Sequence, residues 1–259
     1  MPTPRKRFGQ HFLCDQAIIQ RIVATLAPAA SLHLVEIGPG QGALTIPVLK
    51  QTKQLEVIEL DRDLIPVLKE RAAKLGALTV HEADVLAFDL ASIKKDERLL
   101  HVFGNLPYNI STPLIFHLLD YANIIADMLF MLQKEVAERL AAKPRDEQYG
   151  RLSVMVQYYC QVDLLFDVPP EAFFPPPQVQ SSIVRLIPYR EPPHLAINFE
   201  TFANIVKQAF GQRRKTLRNS LKKTVSAEQW EQLKINPTMR PEDLSVNDFV
   251  NISNLVSRV

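Results

Sequence analysis

Four consecutive residues, Asn105-Leu106-Pro107-Tyr108, place a side-chain carbonyl, a proline-stiffened turn and an aromatic ring within one short stretch. The Asn105 side-chain oxygen and a backbone carbonyl of the Leu106-Pro107 turn can each accept an N–H bond. Two acceptors side by side hold an amine, and they suit an exocyclic nitrogen such as that of adenine. That nitrogen is a poor nucleophile because its lone pair is delocalised into the ring. Held by its hydrogens, it keeps the lone pair aimed at an electrophile, which is catalysis by positioning and electrostatics. Tyr108 can stack on the base. A turn that only caps the following helix would not require all four residue types.

A second constellation is Val35-Glu-Ile-Gly-Pro-Gly-Gln-Gly-Ala-Leu-Thr45, a strand followed by Gly38, Gly40 and Gly42 and then a helix. Alternate glycines let the backbone turn sharply and approach a ligand where a Cβ would collide. The spacing G-x-G-x-G lacks the last gap of the dinucleotide fingerprint, and alone it also fits a tight strand-to-helix turn. The next strand, Val57-Ile-Glu-Leu-Asp61, ends in acid about twenty residues further on, where a carboxylate can accept the hydroxyl protons of a ribose. Glu59 is the candidate ribose ligand. The strand after that delivers Glu82-Ala-Asp84, and Asp84 can accept a hydrogen bond from an adenine amino group. Acids at successive C-terminal strand ends lie at the edge where open α/β sheets bind ligands.

The elements that position these residues alternate short β-branched runs with helical patterns, the signature of βαβ units and a mostly parallel sheet. Strands are expected at 32–37, 55–60, 78–81, 99–103, 127–132, 162–168 and 182–187. Gly42 opens one expected helix. Asp61 can cap another over 62–74, ended by Gly76 in the left-handed conformation. Ser111 or Thr112 can cap a third with Pro113 at its first position. Residues 168–179 contain five prolines and read as a stiff extended loop. Residues 198–259 read as helical throughout. The expected division is therefore an α/β domain over 1–189 and a small all-α domain over 190–259.

Hydrophobic residues make up 47% of the 259 and charged residues 22%, enough to bury a sizeable core and too apolar for a disordered chain. Cys14 and Cys160 have no ligand spacing and are expected to be free thiols in a reducing cytoplasm. No metal site is expected, and no Ser or Cys has a base motif beside it for nucleophilic catalysis. With no apolar run long enough for a membrane span, the expectation is a soluble, unexported protein, and a monomer is expected. Residues 1–189 hold 19 basic against 21 acidic residues, whereas 190–259 hold 11 against 7. Much of that excess lies in Gln212-Arg-Arg-Lys-Thr-Leu-Arg-Asn-Ser-Leu-Lys-Lys223. At helical spacing Arg214, Arg218 and Lys222 form a ridge beside core-facing Leu217 and Leu221, with Arg213 and Lys215 adding charge. Together with Arg5, Lys6 and Arg7 this is a candidate phosphate-binding surface that positions RNA without reading it. Phe173 and Phe174 precede three prolines, and periodicity does not decide which packs inward.

Asn-Leu-Pro-Tyr on the fourth strand, together with Glu-Ile-Gly-Pro-Gly, resembles the S-adenosylmethionine-dependent ribosomal RNA adenine N6-dimethyltransferases, specifically the bacterial small-subunit (16S), kasugamycin-resistance branch. Arg5-Lys-Arg-Phe-Gly-Gln-His-Phe-Leu13, Phe130-Met-Leu-Gln-Lys-Glu135, Tyr149-Gly-Arg-Leu-Ser153 and the 173–181 segment fit the same pattern, so the resemblance spans nearly the whole chain. It implies a seven-stranded, Rossmann-like methyltransferase sheet with a helical C-terminal domain. It also implies S-adenosylmethionine as cofactor, contacted by Leu13, Gly38, Gly40, Glu59, Asp84 and Asn105, and a flipped adenine between Tyr108 and Phe173. The implied substrate is two adjacent adenines in a hairpin loop near the 3′ end of 16S rRNA, within the small subunit or its precursor. His11 stands where the family commonly has Asn, and its imidazole can still offer one donor or acceptor to the cofactor. The 173–181 segment and the helical domain argue against a large-subunit enzyme of the same chemistry. The tetrapeptide argues against a DNA adenine methyltransferase and a nicotinamide dehydrogenase. The remaining alternative is a ribosome-assembly factor in which methylation is secondary.

Overall fold

The structure, a computed structural model, describes residues 11–212 and 215–258. Seven strands form one sheet: β2 (His33–Ile37), β3 (Gln54–Glu59), β4 (Ala77–Glu82), β5 (Leu100–Asn105), β6 (Ile125–Gln133), β7 (Cys160–Val168) and β9 (Ser181–Pro188). Their order is β4-β3-β2-β5-β6-β9-β7, with β4 to β6 parallel and β9 antiparallel to β6. Each expected strand is present, with its ends within two residues of the expected ones. A separate two-residue ribbon, unforeseen from the sequence, pairs β1 (Phe12–Leu13) with β8 (Phe173–Phe174), Phe12 opposite Phe174 and Leu13 opposite Phe173.

Helices join the parallel strands because their apolar residues recur on one face. In α1 (Gln16–Leu26), buried Ile19, Ile22, Val23 and Leu26 follow the helical period, and the Asp15 carboxylate caps the first turn by accepting from the Ile18 N–H. Three expected helix starts shift. The glycine loop keeps positive φ through Gly42, so α2 (Thr45–Thr52) begins later than expected. The Asp61 carboxylate bonds the Asp63 N–H, and α3 (Leu64–Ala72) starts beyond it. In α4 (Ser111–Leu119), Pro113 is the third residue, still within the first turn whose N–H groups lack intrahelical partners. Gly76 is not left-handed. Its reason is space, since a Cβ there would come within 2.5 Å of the Lys53 carbonyl oxygen.

The chain divides into two compact units, residues 11–137 with 162–188, and residues 138–161 with 189–258. Residues 138–161, including most of α5 (Lys134–Ala141) and all of α6 (Arg151–Tyr159), group with the C-terminal helices. The core of the first unit joins Leu34, Val57, Leu68, Phe103, Leu129 and Phe173. The second unit contains α7 (Phe199–Phe210), α8 (Leu217–Ser220), α9 (Ala227–Leu233) and α10 (Val246–Val256), and buries Phe202, Ile205, Val206, Trp230 and Phe249. Among the described residues no helix is long and apolar enough to cross a membrane.

β2 and β5 meet with almost no clearance. A Cβ on Gly104 would stand 2.3 Å from the Ile37 carbonyl oxygen, so a side chain there would force the two strands apart. We expect Gly104→Ala to lower stability by roughly 1–3 kcal/mol or more, read as a fall in the urea midpoint. An unchanged midpoint would show that the strands can yield.

Candidate active site

The order of strands reverses between β2 and β5, and open α/β sheets bind ligands in the crevice at the carboxyl ends of strands at such a switch point. Both chemical constellations end there. After β2, Gly38, Gly40 and Gly42 all take positive φ (63°, 55° and 85°), a region that side chains other than glycine rarely enter. The position a Gly38 Cβ would occupy is 3.9 Å from the Asn105 carbonyl oxygen, so the bare glycine keeps a gap between the loop and the end of β5. A Gly42 Cβ would lie 2.8 Å from Leu68 Cδ1, which ties the loop to α3.

Carboxyl groups line this edge. Glu59 Oε2 accepts the Gly40 N–H at 3.1 Å and Oε1 accepts the Asp61 N–H at 2.7 Å, so the expected ribose ligand is bound to the glycine loop. Burial pushes its carboxyl above the ordinary carboxylate range, and the N–H groups of Asp61 and Gly40 oppose that shift. Glu36, wholly buried on β2, accepts from Thr45 Oγ1 at 2.6 Å. Burial raises it to about 8; the Thr45 bond opposes the rise and the nearby Glu59 charge adds to it. Asp84 is exposed just beyond β4, and its Oδ1 takes the Leu86 N–H, which leaves Oδ2 to a ligand.

Asn105, the last residue of β5, sits opposite Met131 of β6, and the Leu106 N–H donates to the Met131 carbonyl at 3.2 Å. Leu106 is buried and anchors the turn. Asn105 Nδ2 donates to the His11 carbonyl at 3.2 Å. A carbonyl can only accept, so this bond sets the orientation of the carboxamide and leaves Oδ1 as the acceptor for an incoming N–H. Tyr108 Oη shares a 2.9 Å hydrogen bond with Ser181 Oγ, and burial raises its phenol. The His11 ring lies over Tyr108 at 5.8 Å between centroids and 25° between planes. His11 Nδ1 donates to the Pro175 carbonyl at 2.8 Å.

Two expected residues are placed differently. Phe173 is only 3% exposed and packs in the core, while Phe174 is 66% exposed. The ribbon explains it: alternate residues face opposite sides, and Leu13 and Phe173 share the inward one. Leu13 is likewise buried, so its side chain does not face a ligand. On the outward side the Phe12 ring lies 3.4 Å from where a Gly40 Cβ would be. Phe12 and Leu60 were missed in the sequence. Leu60, 53% exposed between Glu59 and Asp61, offers an apolar face to a bound base, and its position after a strand-ending acid was the available signal.

These groups fit S-adenosylmethionine by the chemistry of the donor set and the gap at Gly38. Glu59 would answer a ribose, Asp84 and Leu60 a base, and the acidic edge a cation. Cys14 Sγ donates to the Ala172 carbonyl, and burial pushes the Cys160 thiol up to about 12. In the second unit Lys215, Arg218 and Lys222 are exposed beside fully buried Leu217 and Leu221. The expected ridge is not helical along its length, because α8 is a single turn whose Leu217 and Arg218 N–H groups bond the Met239 and Pro237 carbonyls. Arg5, Lys6, Arg7, Arg213 and Arg214 lie outside the described residues.

The family model described as ribosomal RNA adenine dimethylase matches residues 1–258. A relative from Alcanivorax borkumensis, named ribosomal RNA small subunit methyltransferase A, is 55% identical over 251 residues, covering 97% of this chain and 89% of its own. The crystal structure of a dimethyladenosine transferase from Plasmodium falciparum superposes with a TM-score of 0.77 at 27% identity, covering 93% of this chain and 96% of that one. The 23S rRNA methyltransferase ErmE superposes with a TM-score of 0.74 at 23% identity, covering 95% and 99%, which shows the shared fold.

The raised Glu36 carboxyl predicts a sign for stability against pH. The native state keeps this proton up to about 8 while the unfolded chain releases it near the ordinary 4.5, so between those values the native state binds more protons. Stability must then fall as pH rises through that window. We expect Glu36→Gln, which keeps the Thr45 acceptor, to flatten the decline in urea unfolding between pH 5 and 8. An undiminished slope in the variant would assign the decline to another group.

Proposed function

Since the chain belongs to the ribosomal RNA adenine dimethylase family, we propose that it places two methyl groups on N6 of each of two adjacent adenines, using S-adenosylmethionine. The adenines lie in a hairpin loop near the 3′ end of 16S rRNA, in the small subunit or its precursor. The protein acts as a cytoplasmic monomer, and the modification serves small-subunit biogenesis. The observation that carries the chemistry is the Asn105 carboxamide, whose Nδ2 is bound to the His11 carbonyl, which leaves Oδ1 as an acceptor.

S-adenosylmethionine supplies a methyl group on a sulfonium, already activated for in-line displacement. Glu59 holds its ribose, Asp84 and Leu60 its base, and the bare backbone of Gly38 and Gly40 admits it beside Asn105. Asn105 Oδ1 and a carbonyl of the Leu106-Pro107 turn accept the N6 hydrogens of the target adenine and aim its lone pair at the methyl group. Tyr108, kept protonated and bonded to Ser181, gives the base a ring to stack on. The nitrogen loses its proton after attack, to water or the product cofactor, because a deprotonated amine is out of reach at neutral pH. A loop adenine is also cheaper to flip out than a paired one.

Lys215, Arg218 and Lys222 bind phosphates, and the basic side chains of Arg5, Lys6, Arg7, Arg213 and Arg214 serve the same role. Such contacts place the RNA and carry no sequence information.

Two measurements test this reading. Asn105→Ala should lower transfer of tritiated methyl groups to unmethylated small subunits by about a hundredfold or more, with the cofactor dissociation constant within about tenfold of wild type. Unchanged turnover would remove Asn105 from the mechanism. Arg218→Ala combined with Lys222→Ala should reduce the slope of log affinity for small-subunit RNA against log salt by about one to two. An unchanged slope would place the phosphate contacts elsewhere.

A further inference from the structure

A groove of about 310 Å³ is lined by Gln133, Lys134, Glu135, Val179 and Gln180. That volume lies at the low end of the roughly 300–1,000 Å³ that holds a small organic ligand. Its position follows from register. Asn105 pairs with Met131, Gln133 is the next residue on the same face of β6, and Gln133 pairs with Ser181, whose hydroxyl is bonded to Tyr108. The groove is therefore one strand over from the amine-holding carboxamide, on the same edge of the sheet.

The lining selects a nucleobase over a phosphate. Lys134 Nζ is already engaged by Asp167, and Glu135 adds a negative charge, so the groove offers an anion no unopposed cation. Among the described residues neither the Gln133 nor the Gln180 carboxamide has a hydrogen-bond partner, and Gln180 is exposed. Each presents a donor and an acceptor, the pair that matches the N6 and N7 edge of an adenine. Val179, 44% exposed, supplies an apolar contact for a ring. Single-stranded RNA is read in this way, by stacking and by hydrogen bonds to exposed base edges.

We propose that this groove is the subsite for the nucleotide adjoining the target adenine, and that Gln133 and Gln180 read its base edge. The assignment rests on the dimethylase reading above and deepens it. It makes the neighbouring base part of what the enzyme recognises, so that one adenine of the pair is held while the other is methylated.

The test is a cycle of enzyme against substrate, measured as tritiated methyl transfer from S-adenosylmethionine to unmethylated small subunits. Wild type and Gln133→Ala/Gln180→Ala are each assayed on native subunits and on subunits with uridine beside the remaining target adenine. S-adenosylhomocysteine binding and thermal melting of the variant verify that cofactor site and fold are intact, and Gln180→Ala alone provides a second, fully surface-located variant. We expect kcat/KM to fall about tenfold for the variant on native subunits and about tenfold for wild type on altered ones, with little further loss when both changes are combined. Variant rates within about twofold of wild type, or losses that multiply, would overturn the subsite while leaving the dimethylase reading in place. No methylation of native subunits by wild type would overturn both.

Discussion

The contact between β2 and β5 is the constraint from which the site follows. These strands carry the two halves of the proposed chemistry, a glycine loop after one and Asn105 at the end of the other, and they lie side by side where the strand order reverses. Gly104 lets the backbones close to a distance that no side chain would permit. Were they held apart by even one methyl group, the glycine loop and the Asn105 carboxamide would separate. Positioning catalysis is sensitive to displacements of that size.

Around this contact the carboxyl groups do two different jobs. Glu59 ties Gly40 and Asp61 together through its two oxygens, so the proposed ribose ligand also braces the loop. Glu36 lies beneath it, buried, raised to about 8 and bonded to Thr45 at the start of α2. A neutral acid there avoids stacking a second buried negative charge against Glu59. The ribbon of β1 and β8 closes the other side: its inward residues Leu13 and Phe173 belong to the core, and the residue before it, His11, supplies the carbonyl that orients Asn105.

Sheet, motif and family were legible because their signals are local. A buried parallel strand needs a short run of β-branched residues, and the glycine loop, Glu59, Asp84 and Asn105 each sit directly at a strand's end. The parts that were not legible depend on segments far apart in the chain. The inward turn of Phe173 is decided by pairing with Leu13, and Phe12 and Phe173 belong to strands too short to show a period. Gly76 looked like a helix stop by type, but its role is set by the Lys53 carbonyl across a turn. The basic run had helical spacing yet forms a single turn, since bonds to Pro237 and Met239 capture its first N–H groups. The residues 138–161 follow the sheet in sequence and group instead with the C-terminal helices.

The central claim is that this edge of the sheet holds an adenine N6 amine against an activated methyl group. The most direct test is nucleoside chromatography after tritiated methyl transfer from S-adenosylmethionine to unmethylated small subunits, with large subunits and duplex DNA as parallel substrates. The account predicts label in N6,N6-dimethyladenosine from small subunits alone. Label in any other nucleoside, or tight binding of small subunits with no transfer, would contradict it.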